Sequence, residues 1–425
     1  MANSFSKEER VAFENILEGF NDALVLSRNV SIYNTDMSMM ERTGNVIWRP
    51  MPYIMQSFDG MDQSLNFGDQ TQLAVPSTLG FQKSVPWIMD AMELRDALQE
   101  GRLGDSAKQK LASDINVSIM SVAANQSTVV VDLAGSASSL GYSAIAECDT
   151  AFNELGVQMF DRYMALSSRD YNGLAANLAA RGTMAGKPTP AYERSYVGVV
   201  AGFETYKMDY ANRIAVAAGT SKTIDTQASA NNYWVPTATT VASTGERSNV
   251  DNRYQTVTIA ANTTGIVAGD AFTIAGVEAV HHITKQSTGN LKTFRVIQVL
   301  SSTQLVISPA IVSNQGGSDA EAQYQNVIVT PNASANIVFL NIAAAPINVF
   351  WQKDALEILP GRYAVPSDSG AAVMRGTTDQ GIELVMQKQY DINTMKTKYR
   401  LDTLYGVVNK QPEMSGILLL EQTGS

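Results

Sequence analysis

Between about residues 222 and 345 the chain changes character, and that change constrains its architecture more than any other feature. The stretch is rich in Thr, Ser, Asn, Val and Ala and holds no convincing amphipathic helix. It offers short alternating runs instead: Gln255–Ala260, Ala271–Ala275, Lys292–Leu300, Gln304–Ser308 and Asn326–Thr330. Turn residues separate them, at Gly265, Gly269, Asp270, Gly276, Gly289, Asn290, Ser301 and Ser302. Alternation of period two, broken at this spacing, predicts an antiparallel sandwich or small barrel. Mixed helix and strand texture lies on both sides, so the block reads as an all-β domain inserted into an α+β frame. A chain of 425 residues agrees with this, because one hydrophobic core seldom serves so long a polypeptide.

Upstream, Val11, Phe13, Ile16, Leu17, Phe20 and Leu24 recur at three- and four-residue spacing, and Ser6 with Glu9 forms a capping box. This amphipathic helix needs a partner for its apolar face, either its own domain or another chain. Val46–Pro50 and Gln72–Pro76 read as strands flanking a loop from Gln56 to Asp69, a long two-stranded excursion. An isolated hairpin is marginal in water, so such an excursion gains stability chiefly when something packs on it. Helical texture follows at Ile88–Leu98, and Asp105 caps a second helix through Leu111, Ile115, Ile119 and Val122. The sequence leaves open whether Gly101 and Gly104 break one long helix or bend it. Next come a buried strand at Ser127–Asp132, a loop at Ala134–Gly141 and a helix over about 143–165 with Cys148, Phe152, Leu155, Met159 and Tyr163 on one face. Ser168 caps a further helix that Gly182 stops, and Tyr192–Phe203 is weakly helical.

After the β block the expected strands are Ile347–Trp351, Leu356–Leu359, Gly381–Met386, Lys398–Leu401, Leu404–Val408 and Gly416–Leu420. Thirty-one Lys and Arg against 41 Asp and Glu leave a net charge of −10. The β block carries six basic and seven acidic residues, so the rest of the chain holds −9. No basic stripe of the kind a dedicated nucleic-acid binder presents is found. No apolar run reaches the roughly 18 residues of a membrane span, and no secretory signal is expected. The single cysteine, Cys148, excludes an internal disulfide and suits a reducing cytoplasm; its spacing from Phe152 makes it a small core residue.

Catalytic chemistry finds little to stand on. Gly182–Pro188 superficially resembles a phosphate-binding loop, but it has three residues between its glycines and Pro188 where a hydroxyl must reach a metal. The loop after Val131 lacks the glycine spacing of a dinucleotide site. His281 and His282 are adjacent, so on a strand they point to opposite faces, and they read as solvated loop residues. Two histidines and one cysteine cannot build the usual zinc sites. No catalytic residue, metal site or cofactor is therefore expected. Carboxylates alone keep a carboxylate-based hydrolase open as a rival.

Two segments, Asn249–Ile259 and Gly269–Val277, closely resemble the inserted β domain of major coat proteins from short-tailed, lambdoid-type double-stranded DNA phages. Asn348–Trp351 and Tyr405–Glu413 look like the same family's return into its main domains, with weaker matches at Asn45–Trp48 and Val200–Phe203. The resemblance runs in order from about residue 45 to 413. It implies the tailed-phage and herpesvirus major capsid fold: N-terminal arm, extended hairpin loop, spine helix, peripheral and axial domains, with the β domain inserted into the axial one. The corresponding division is 1–35 arm, 36–87 hairpin region, 88–135 spine and peripheral domain, 136–221 axial domain, 222–345 inserted domain and 346–425 return.

The resemblance also implies a function. Such proteins assemble as hexamers and pentamers into an icosahedral procapsid on a scaffolding protein, around a portal, in the host bacterial cytoplasm. The shell then encloses double-stranded DNA without reading its sequence, and an acidic wall would not trap that DNA. A nanocompartment shell, a portal or a tail component are the structural alternatives. Candidate inter-subunit contacts are Trp48, Phe58 and Phe67 in the hairpin and Phe13 and Phe20 in the arm. In the best-known member of that family the loop before the Asn-Val-Asp-Asn motif is rich in aspartate and is thought to bridge neighbouring capsomers through salt links. Here Thr237–Ser248 holds only Glu246 and Arg247 as charged residues, so any bridge rests on that pair or on backbone contacts.

Overall fold

The computed structural model describes residues 7–23, 26–33, 46–51, 73–90, 97–182, 197–208, 210–219, 222–225, 237–241, 247–260, 262–315, 319–365 and 370–423, with isolated positions between 55 and 67. Its helices are α1 (Lys7–Ala23), α2 (Ala97–Gln126), α3 (Ala137–Leu140), α4 (Tyr142–Leu155), α5 (Ser168–Gly182) and α6 (Asp319–Tyr324). The strands before the β block are β1 (Ser31–Ile32), β2 (Val46–Pro50), β3 (Ala74–Thr78), β4 (Phe81–Asp90), β5 (Val129–Asp132), β6 (Arg162–Leu166), β7 (Val199–Val200), β8 (Phe203–Lys207) and β9 (Arg213–Ile214). Within it are β10 (Lys222–Thr223), β11 (Thr237–Val241), β12 (Arg247–Asp251), β13 (Gln255–Thr258), β14 (Ala271–Val280), β15 (Ser287–Val299), β16 (Gln304–Ser308), β17 (Asn336–Phe339) and β18 (Ala345–Pro346). The last are β19 (Asn348–Gln352), β20 (Leu356–Pro360), β21 (Ala372–Thr377), β22 (Glu383–Asp391), β23 (Lys396–Asn409) and β24 (Ser415–Leu419). The fold is α+β, and the chain divides into two compact units.

The first unit comprises Met1–Ile47, Ser77–Ile119 and Glu357–Val408. Its sheet runs β1-β20-β23-β22-β21, with β4 paired along β23. Trp87 stacks on Tyr399 and Phe81 on Tyr405 across that pairing. The α1 helix buries Phe13 and Ile16 within this unit. Two glycines make room for it: a Cβ on Gly376 would meet Leu17 and Phe13 at 2.9–3.0 Å, and one on Gly104 would meet Ile16 at 2.7 Å. Buried Glu9 fixes the helix by pairing with Lys388 and accepting a hydrogen bond from the Tyr399 hydroxyl at 3.2 Å.

The second unit comprises Trp48–Pro76, Met120–Leu356 and Asn409–Ser425. One sheet has the order β5-β24-β19-β6-β8-β7. Every residue of β19 is buried, as expected of a strand with neighbours on both edges and layers on both faces. Phe152 from α4, Phe203 from β8 and Phe350 from β19 meet with ring centroids 4.8–5.9 Å apart, and Cys148 lies buried in the same core. The second sheet of this unit, β10-β17-β14-β15-β16-β13, is a barrel. It is closed by the Ile224–Ile259 bridge, with Asp225 N–H donating to Thr258 O and Ala260 N–H to Thr223 O. Phe272, Phe294, Ile274, Val296 and Ile307 fill its interior. Closure leaves the barrel without free edges.

Several expectations are corrected. Ile88 and Met89 belong to strand β4, not a helix; residues 91–96 lie outside the described residues. The alternation Phe81, Lys83, Val85, Trp87, Met89 points one way and takes precedence over the helical spacing of Ile88, Met89, Met92 and Leu94. Gly101 and Gly104 neither break the chain nor end a helix: α2 runs through both, and Asp105 lies inside it, paired to Lys108. The helix expected over 143–165 stops at Leu155, because Gly156 takes a left-handed φ of 80°, and Tyr163 lies in β6. Ser167, not Ser168, caps α5, its Oγ accepting the Asp170 N–H at 3.2 Å. The Tyr192–Phe203 stretch gives strands β7 and the start of β8 where it is described. The two strands expected at 398–401 and 404–408 are one, β23, and Asn326–Thr330 contributes only a single bridge, Val327 to Ala279. The β block also contains a short helix, α6. Ser6 of the expected capping box lies outside the described residues.

Candidate assembly surfaces and the barrel junction

The excursion forms as its two flanks predict. Strands β2 and β3 pair as a two-stranded sheet, and Met51 N–H donates to Leu73 O at 2.8 Å beyond them. Two bonds tether its base: Leu73 N–H donates to the Tyr324 hydroxyl at 3.3 Å, and Asn252 Nδ2 donates to Ala74 O at 2.8 Å. Farther out, Met55 and Met61 are exposed and Phe67 is 88% exposed; Trp48 is 39% exposed. Phe58 lies outside the described residues. Large apolar side chains held out from a two-stranded ribbon mark a surface that gains by being covered.

The arm behaves differently. Phe13 is only 5% exposed and is packed in its own unit against β21, which removes it from the candidate contacts. Phe20 lies on α1, but its side chain is outside the described residues. In the proposed bridging loop, β11 and β12 form a hairpin with Val241 opposite Arg247. Glu246 falls outside the described residues, as does the Arg247 side chain.

The structure gathers a polar cluster that sequence reading missed. Lys292 on β15, 3% exposed, pairs with Glu413 Oε1 on the short 3-10 helix Pro412–Met414. Asn326 Nδ2 donates to the same oxygen at 3.2 Å. His282 Nε2 lies 3.7 Å from Glu413 Oε2, shut off from solvent and without a hydrogen-bond partner. His282 is therefore a part-buried junction residue, not a solvated one, and burial pushes its imidazole down to about 4. Burial works to raise the Glu413 carboxyl, but Lys292 and His282 outweigh it and hold it below the ordinary range. His281 is likewise engaged, its Nδ1 accepting the N–H of Thr284 at 3.2 Å. Neighbouring bonds complete the junction: Thr293 Oγ1 donates to Thr128 O at 2.6 Å, Arg295 Nη1 to Ser127 O at 3.4 Å and Arg253 Nη1 to Asn409 O at 2.8 Å. These bonds fasten the barrel to the β5–β24 sheet and the C-terminal segment. A cavity of about 320 Å³ opens beside them, lined by Met51, Leu73, Val157, Ile283, Tyr324 and Met414 among others.

Gly182 ends α5, and residues 183–188 lie outside the described residues. The loop after Val131 is occupied by α3, with Ser136, the residue before it, donating its hydroxyl to Ser139 Oγ at 3.2 Å. Among the described residues no three His, Cys, Asp or Glu side chains converge closely enough to hold a metal ion, and no helix is long and apolar enough to cross a membrane.

Comparison with known proteins decides the identity. The family model of the P22 coat protein, gene protein 5, matches residues 1–420. The chain belongs to the P22 coat protein family. Solved structures similar to this coat protein include one from Mycobacterium phage Che8, 9% identical over 95% of this chain and 92% of that one, with a TM-score of 0.47. The mature capsid of bacteriophage PhiM1 is 10% identical over 99% and 88%, with a TM-score of 0.44. The CUS-3 coat protein I-domain is 36% identical over 29% of this chain and 98% of its own length, with a TM-score of 0.21. Membership rests on the family match. This coat protein is a major capsid protein, a structural subunit that assembles with copies of itself into the shell of a phage virion. The family is one of structural proteins and not enzymes, and the carboxylate-based hydrolase reading has no support.

Proposed function

We propose that this coat protein assembles as hexamers and pentamers into an icosahedral procapsid, on a scaffolding protein and around a portal, in the host bacterial cytoplasm. The shell then encloses double-stranded DNA without base recognition. The observation that carries this reading is the β2–β3 excursion with its exposed Met55, Met61 and Phe67. A ribbon of that kind is marginal alone and is stabilised when its apolar side chains are buried on a neighbour. Trp48 and Phe67 are the proposed inter-subunit contacts, and the Thr237–Ser248 hairpin the proposed inter-capsomer loop. The −9 carried outside residues 222–345 suits a wall past which DNA must slide. Cys148, free and buried, suits assembly in a reducing compartment. The proposed organisation is the six-part division of the chain, with 222–345 as an inserted domain.

Deletion of residues 50–70 tests the reading. The variant should remain soluble and sediment as a monomer, with no shells in electron micrographs. Normal shells from the deletion would sink the hairpin's role.

A further inference from the structure

Lys292 and Asn326 share one acceptor. Lys292 Nζ is held by Glu413 Oε1, and Asn326 Nδ2 donates to the same oxygen at 3.2 Å. Two donors on one carboxylate oxygen stand roughly 4–5 Å apart, so the lysine nitrogen neighbours the amide carbon Cγ. Both residues are buried. The amide is fixed on its other sides as well: Nδ2 also donates to Ala310 O at 2.8 Å, and Oδ1 accepts the Val312 N–H at 3.0 Å. We propose that Lys292 and Asn326 join through an intramolecular isopeptide bond, with Glu413 carrying the protons.

Each group has a place in that chemistry. A lysine becomes a nucleophile when it hands its proton to a neighbouring base in a desolvated site, and Glu413 Oε1 is in contact to receive it. The resting pair is ionic, but the reaction runs once per chain, so a small neutral fraction suffices. Nζ then turns from Oε1 to Cγ and forms the new N–C bond. The displaced carbonyl electron pair goes to Oδ1, where the Val312 N–H already stands as a donor to the developing oxyanion. A second proton passes from the lysine nitrogen through Glu413 to Nδ2, which the carboxylate already touches. The Cγ–Nδ2 bond breaks, and its electron pair leaves on ammonia. That ammonia takes the first proton back from Glu413 and departs as ammonium, so each amide formed releases one ammonium and no oxidant or cofactor is consumed. Asn326 and Glu413 both line the cavity beside the junction, which gives the leaving group a way out. The product closes a covalent loop within the β block, running from β15 through β16 and α6 to Asn326.

Mass spectrometry of the full-length protein tests this. The intact wild-type chain should fall one ammonia short of the mass its sequence gives, with the N-terminal methionine allowed for. A tryptic digest should contain the peptides of Lys292 and Asn326 as one branched species, uncut after Lys292. A succinimide at an asparagine costs the same ammonia but joins no peptides, so the branched species decides. Lys292→Arg, which keeps the buried cation and removes the nucleophile, should restore the full mass, and so should Glu413→Gln. Wild-type protein that still digests to two separate peptides after days at neutral pH overturns the bond, whether or not either variant folds. A branched peptide that persists in Glu413→Gln overturns the part given to Glu413.

Discussion

Single residues decide how the second unit closes. Arg162, with its side chain 1% exposed, pairs with Asp149, donates to Asn153 Oδ1 and to the carbonyls of Val157 and Gln158, and lies over the Phe152 ring. Arg162→Met strips four acceptors of their donor and should cost about 2–4 kcal/mol, read as a lowered urea midpoint. Gly156 serves twice: its φ of 80° ends α4, and a Cβ there would stand 2.7 Å from the His281 ring. Gly156→Ala should therefore destabilise by more than about 1 kcal/mol, where an exposed loop glycine would tolerate the change. The junction also sets the acid side of stability. His282 has a folded value of about 4 against 6.5, so the unfolded chain binds more protons between them and stability falls as pH drops through that window. Glu413, held below its ordinary value of 4.5, adds loss in the same direction as the pH falls below that value. None of this was legible in the sequence, because His282, Lys292, Asn326 and Glu413 are spread over more than a hundred residues and only the fold brings them together. The histidine pair read as solvated for the same reason.

At the scale of elements, the barrel was legible and its closure was not. Alternating runs between glycine-bearing turns predict β13 to β16, whereas the two-residue β10 and the Ile224–Ile259 bridge carry no local signal. Residues 222–345 expressed alone should give a dispersed, strand-dominated NMR spectrum, since the core around Phe272 and Phe294 lies inside the fragment. An unfolded spectrum would show that Ser127, Thr128 and Glu413 are needed to satisfy Arg295, Thr293 and Lys292. Helix ends were misread where glycine conformation decides them, as at Gly156, and β4 was misread where two periodicities overlap. The first flank of the excursion, Val46–Pro50, and the strand at Asn348–Trp351 were read nearly to the residue, while the second flank begins two residues later than expected. In β19 Phe350 is packed against Phe152 and Phe203, and Phe350→Ala should cost about 3–5 kcal/mol in the same urea assay.

For the whole molecule, the inserted block, the mixed frame and the motif matches already pointed to a phage shell protein, and the family match over residues 1–420 establishes it. What sequence could not supply was which apolar side chains are free to bind a neighbour. The structure removes Phe13, buried on the packed face of α1 against β21, and leaves Trp48 and Phe67 exposed on the ribbon. Assembly is then the sum of many modest contacts repeated around a closed surface, each worth little alone. Electron microscopy of the purified full-length protein tests this most directly. Closed icosahedral shells built of hexamers and pentamers are the expected result; only discrete small oligomers, with no closed particle under any assembly condition, would contradict it.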